Sequence, residues 1–129
     1  YREVLGLTEG RSSDSWVDFT IGGNQLSVHV SGKIPESYPC GVVDHVIVPI
    51  PHFGCVMPWN DFHTLADKLH NEKVEFIIEP SIRFAGQPGE QATMFFKDPS
   101  GNSLEIKCYK NPEHMFTLNV KQEKYSSNL

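Results

Sequence analysis

The sequence predicts an α+β chain of two related modules, each running strand, helix and then three strands, with the first module short of its leading strand. Three observations carry this. A strand–turn–strand pattern occurs twice, over Trp16–Val30 and Ala92–Cys108, and Gly23-Asn24-Gln25-Leu26 of the first copy lines up with Gly101-Asn102-Ser103-Leu104 of the second. Phe62, Leu65, Ala66 and Leu69 recur at i, i+3, i+4 and i+7, which marks one short helix with an apolar stripe. From residue 46 onward the order reads strand, helix, strand, strand, strand, and the first hairpin fits the end of the same series. With hairpins supplying the connections, the sheets should be open and mainly antiparallel.

The elements follow in order. Tyr1-Arg-Glu-Val-Leu-Gly-Leu7 reads as the last turns of an amphipathic helix stopping near Gly6. No initiator Met and no helix start precede it, so the chain reads as a fragment whose first strand lies before Tyr1. A short strand around 7–11, a polar turn at Ser12-Ser13-Asp14 and the first hairpin complete module one. Residues 31 to 48 hold Gly32, Pro35, Pro39 and Gly41 and read as a linker or lid. Val46 to Met57 is apolar enough for one strand, and Pro58-Trp59-Asn60-Asp61 opens the helix, which Asn71 closes. Val74 to Glu79 is a further strand, and a Gly- and Pro-rich loop from Arg83 to Gln91 leads into the second hairpin. This divides the chain into one domain over 1–115, with module one over 1–31, a linker over 32–45 and module two over 46–110. Residues 116–129 form a C-terminal tail.

At 129 residues a single core is expected, and a formal net charge of -5 offers no basic face to a nucleic acid or an anionic membrane. No apolar stretch approaches the ~20 residues of a spanning helix. Cys40, Cys55 and Cys108 are odd in number and lack CxxC spacing, which favours free thiols and a cytoplasmic location.

Pro51-His-Phe-Gly, Phe96-Lys-Asp-Pro-Ser-Gly-Asn-Ser-Leu-Glu-Ile-Lys and Tyr1-Arg-Glu-Val-Leu-Gly-Leu together resemble the vicinal oxygen chelate superfamily, which includes glyoxalases, fosfomycin- and bleomycin-resistance proteins and extradiol dioxygenases. The resemblance spans most of residues 1–110, and Asp-Pro-Ser-Gly-Asn-x-Leu-Glu is its most specific segment. It implies glyoxalase-like βαβββ modules, each curled around a cleft, with divalent-metal ligands on their first and last strands. Carried over by position, the metal ligands are His52 and Glu105, with Glu105 also the catalytic carboxylate. Alignment of the two turns puts Ser27 opposite Glu105, but Ser is a poor ligand; His29, two residues on and on the same strand face, is the expected third donor.

Imidazole and carboxylate together suit Zn, Fe, Mn, Ni or Co. The resemblance therefore implies a metal-dependent lyase or isomerase acting on a small molecule with adjacent oxygen atoms. An extradiol-type Fe(II) dioxygenase is one alternative. The other is a metal-free, bleomycin-resistance-like protein that traps a drug between aromatic walls. Arg83, Trp16 and Phe84 are the candidate substrate-binding residues, and Glu90 is a candidate base on the Arg83–Gln91 loop. His45, His63, His70 and His114 fall in loops or on the helix and read as surface residues. Family members often pair, so a homodimer is expected.

Overall fold

The computed structural model describes residues 1–43 and 46–116, which form nine strands, one α-helix and a short 3-10 turn at Pro112–Phe116. The first sheet joins β1 (Thr8–Ser13), β2 (Trp16–Ile21) and β3 (Asn24–His29) in antiparallel order. Gly22 and Gly23, at φ +53° and +78°, make the two-residue turn between β2 and β3. Two successive positive φ angles give the mirror-image turn that matches the right-handed twist of paired strands. That turn pairs Ile21 with Asn24 and therefore Asp18 with Ser27. Phe19 and Ile21 are buried on one face, where Phe19 stacks on Tyr1 at 5.6 Å.

The second module runs β6 (Phe53–Val56), α1 (Trp59–Asn71), β7 (Phe76–Arg83), β8 (Gln91–Lys97) and β9 (Ser103–Tyr109). Its sheet has the order β6-β9-β8-β7; β6 lies parallel to β9 and the other pairs are antiparallel. Helix α1 follows Pro58, with Asp61 in its first turn and Lys68 and His70 in its last, charges that suit the helix dipole. Its Phe62, Ala66 and Leu69 are buried against Met94, Phe96, Leu104, Ile106 and Cys108. Replacing a fully buried leucine such as Leu69 by alanine costs about 2–5 kcal/mol. Because α1 occupies that face, alternation turns Gln91, Thr93 and Phe95 of β8, and Glu105 and Lys107 of β9, to the other. The polar groups of the sheet are thereby gathered on one side.

Three segments differ from the expectation. Tyr1–Leu7 is not helical; the Tyr1 hydroxyl donates to Asp98 Oδ2 at 2.9 Å and the Leu7 N–H to the Tyr1 carbonyl at 3.0 Å. Tyr1, Val4 and Leu5 instead pack against the core in an irregular conformation. Val46–Met57 is broken at Pro51, which has no N–H for a ladder: β5 (Val46–Ile50) pairs with β4 (Tyr38–Val43), whereas β6 pairs with β9. The connecting segment also contains a strand, β4 (Tyr38–Val43). Its register slips between Pro39 and Gly41, an irregularity that accommodates both residues in a two-stranded hairpin. This hairpin leaves Tyr38, Val42 and Ile47 exposed. Ser37 and Ser103 share a hydrogen bond at 2.9 Å, so the stretch before β4 lies against the start of β9. His45 and the tail from 117 onward lie outside the described residues, and among those described no helix is long and apolar enough to cross a membrane.

Candidate functional site

Two strands that begin far apart in sequence meet at the site. In the parallel β6–β9 pair Gly54 lies opposite Glu105, so His52, two residues earlier, falls on the face that Glu105 presents. The His52 Nε2 stands 3.4 Å from Glu105 Oε2, and the two side chains retain 28% and 20% exposure. Phe95, opposite Glu105 on β8, meets the His52 ring edge to face at 5.1 Å. The pair is therefore backed by an aromatic wall and still reached by solvent.

Each partner is oriented by a further group. His52 Nδ1 lies 2.7 Å from the Pro49 carbonyl, which can only accept, so Nδ1 carries a proton and donates. This leaves Nε2 as the nitrogen able to ligate. Glu105 Oε1 accepts from Thr93 Oγ1 at 2.9 Å and meets Lys107 Nζ at 3.1 Å. Oε2 is left facing His52. An unprotonated Nε2 opposite a carboxylate oxygen sets one lone pair against another, an arrangement that needs a positive charge between them, either a proton or a metal ion.

The donor chemistry fits a divalent cation. Two donors held at ~2.1 Å by one tetrahedral ion stand roughly 3.4 Å apart, as His52 Nε2 and Glu105 Oε2 do. A ligating histidine commonly donates its other N–H to a carbonyl, and a ligating carboxylate is itself hydrogen-bonded. Among the described residues, however, no third His, Cys, Asp or Glu joins the pair. His29 ends β3 opposite Trp16 in the other sheet. Ser27, its rival for the third position, donates to Asp18 Oδ1 at 2.5 Å.

The remaining candidates lie on other strands and loops. Trp16 begins β2, with the Arg11 guanidinium 5.9 Å from its ring centroid. Arg83 ends β7 opposite Gln91, two residues along β8 from Thr93, and Phe84 follows it at φ +55° with its ring partly exposed. Glu90 closes its own loop, its Oε2 accepting the Gly86 N–H at 2.6 Å. His70 bonds to Glu79 at 3.0 Å, and His114 Nδ1 accepts the Gly89 N–H at 3.2 Å. Two hollows of about 540 and 520 Å³ both border Tyr1, and neither is lined by His52 or Glu105. Among the described residues no group of three potential ligands lines either hollow.

Asp18, Thr93, Lys107 and Gln91 were not singled out by sequence. Asp18 is buried, and the Ser27 hydroxyl, with Gln25 and Arg11, holds its carboxyl below the usual carboxylate range against the opposing effect of burial. Gln91 Oε1 is a buried acceptor with no hydrogen-bond partner among the described residues. The signal that could have found Asp18 is the two-residue turn, which dictates which residues of β2 and β3 stand opposite one another.

No protein-family model and no curated protein matches the sequence. Solved structures do. A glyoxalase/bleomycin resistance protein/dioxygenase from Alicyclobacillus acidocaldarius is similar with a TM-score of 0.65 and 25% identity, over 87% of this chain and 80% of that one. The fosfomycin resistance protein FosX of Listeria monocytogenes is similar with a TM-score of 0.58 and 14% identity, over 88% and 80% of the two chains. The fold is that of the vicinal oxygen chelate superfamily. An integron cassette protein from the Halifax Harbour sewage-outfall metagenome shares it at TM-score 0.59 and 18% identity, over 84% and 82%. Within this chain, β6 to β9 with α1 run strand, helix and three strands, and β1 to β3 form a three-stranded sheet of their own.

Proposed function

We propose that this protein is a metal-dependent lyase or isomerase of the glyoxalase-like kind, acting on a small molecule with two adjacent oxygen atoms. One observation carries the proposal: His52 Nε2 and Glu105 Oε2 face each other at 3.4 Å, while the opposite atom of each side chain is already committed to a protein partner. His52 and Glu105 would hold the ion, with further donors from outside the described residues or from solvent. Bound there, a divalent cation supplies Lewis acidity, polarising a substrate oxygen and favouring loss of a neighbouring proton. The protein's own part is orientation: Pro49 fixes the His52 tautomer, and Thr93 and Lys107 hold Glu105 Oε1 so that Oε2 stays forward. The partial exposure of the pair lets a small molecule approach. Free thiols at Cys55 and Cys108 accord with a reducing compartment, and a homodimer belongs to the same proposal.

A metal-free binding protein is the second reading, because the Lys107 ammonium already balances the Glu105 charge and no third ligand joins the pair among the described residues. An extradiol dioxygenase ranks below both, since its facial arrangement needs a second histidine beside the carboxylate. Metal analysis of protein purified without chelator separates them. One equivalent of a transition metal supports the enzyme. No metal, together with tight binding of an aromatic or cationic drug, supports sequestration.

A further inference from the structure

Asn111 and Pro112 set the 3-10 turn at Pro112–Phe116. The Asn111 side-chain oxygen accepts the Glu113 N–H at 3.1 Å, its carbonyl accepts the His114 N–H at 3.0 Å, and the proline ring presets the local φ. The turn presents His114 to the loop between β7 and β8, where Nδ1 accepts the Gly89 N–H at 3.2 Å. Gly89 is buried, at φ +88°, and among the described residues its N–H has no other acceptor. A buried N–H left without a partner is costly, so this stretch of the loop depends on the His114 ring. The ring's protonation state decides whether it can serve. A neutral imidazole has one acceptor nitrogen and one N–H. Nδ1 is the acceptor, so Nε2 carries the proton; Asn111 Nδ2, 3.5 Å from Nε2, is at the far limit of a hydrogen bond and does not compete. An imidazolium has two N–H groups and no acceptor, which sets Nδ1–H against the Gly89 N–H.

We propose that His114 is a pH-sensitive latch on the loop over 84–90, closed while its ring is neutral and released when the ring is protonated. Histidine is the side chain whose ordinary charge change falls between pH 5 and 8. The charged and titratable groups around the ring are Glu90 on the loop, Glu113 on its own turn, and Tyr109 and Lys110 at the end of β9. The Glu90 carboxylate is turned onto the Gly86 N–H, and the Lys110 ammonium lies over the Trp59 ring at 4.7 Å. Among the described residues none of these forms an ion pair with His114. The loop's remaining ties are backbone bonds that do not titrate: Gln87 N–H to the Phe84 carbonyl at 2.9 Å, Glu90 N–H to the Gln87 carbonyl at 3.0 Å, and Lys110 N–H to the Glu90 carbonyl at 2.8 Å. Acid therefore frees the stretch around Gly89 while the end of the loop stays attached to β9. The freed loop begins at Phe84, next to Arg83, which stands opposite Gln91 at the end of the sheet. The end of the sheet's polar face is thus ordered at neutral pH and loosened in acid.

NMR titration and amide hydrogen exchange of the full chain between pH 5 and 8 test the latch. The Gly89 amide resonance should move with the same midpoint as the His114 ring. Its exchange protection, corrected for the intrinsic dependence on pH, should be about fivefold lower at pH 5.5 than at pH 7.5, the loss of one ordinary hydrogen bond. The amide of Leu104, fully buried in β9, should keep its protection over the same range. His114→Asn places a non-titrating oxygen near the Nδ1 position and should hold the Gly89 ratio within twofold. His114→Phe removes the acceptor and should leave Gly89 poorly protected at both pH values. A Gly89 amide that ignores the His114 titration overturns the latch. So does a fall in protection that persists at full size in His114→Asn, or one that Leu104 shares.

Discussion

Gly54 lies opposite Glu105 in the parallel β6–β9 pair, and a Cβ at Gly54 would overlap the Glu105 carbonyl. The segment that carries His52, just before β6, can approach the strand that carries Glu105 only because this position has no side chain. Gly54→Ala should push β6 away from β9 and cost about 1–3 kcal/mol, the range for overpacking a close contact. Urea unfolding would measure this, and cobalt affinity should fall at least tenfold as the donor pair opens. Wild-type values for both quantities would show that the strands tolerate the methyl group and that the approach does not set the site.

Asp18 gives the fold an acid limit. Its carboxyl sits below the usual range, chiefly through the Ser27 hydroxyl. A depressed native value means that the ionised form stabilises the fold above the unfolded value of about 3.9. This contribution is lost as pH falls through the lower native value. The stability of wild type minus Asp18→Asn, measured by urea unfolding from pH 2 to 7, should be steady at neutral pH and shrink below about pH 4. A difference that does not change with pH would contradict the assigned cause.

Gln91 makes the opposite kind of prediction. A buried acceptor without a donor is a cost, and replacing it by an apolar group of similar shape can be neutral or stabilising. Gln91→Met should leave unfolding stability unchanged or raise it by about 1 kcal/mol. A loss of more than about 1 kcal/mol would mean that the amide oxygen has a bound partner, such as an ordered water.

Much of this architecture is legible in the sequence because it rests on local rules. The apolar spacing of Phe62, Ala66 and Leu69 marks the buried stripe of α1, and Pro58 marks its start. The glycines at 22 and 23 mark the first hairpin turn. Asp98 and Asn102 of the Asp-Pro-Ser-Gly-Asn segment mark the second: both Asp98 carboxylate oxygens accept from Asn102, and Oδ2 also takes the Tyr1 hydroxyl. The most specific motif in the chain is thus turn chemistry, and its use for function is that it delivers Glu105 in register. The illegible parts depend on distant partners. Tyr38–Val43 holds Pro39 and Gly41, which discourage a strand, and only pairing with Val46–Ile50 overrides them. Thr93 and Lys107 reach Glu105 through a cross-strand register that composition cannot supply, and Pro51 splits an apolar run that hydrophobicity alone leaves whole.

Cobalt(II) titration of the wild type, His52→Ala, Glu105→Gln and the double variant, followed by calorimetry, tests the central claim most directly. One equivalent should bind the wild type, and each single substitution should weaken it at least tenfold with little change in unfolding stability. The double variant should be no more than the weaker single one, because two donors to one ion act as a unit. Unchanged cobalt affinity in either single variant, or wild-type protein that takes up no cobalt, would contradict a cation shared between His52 and Glu105.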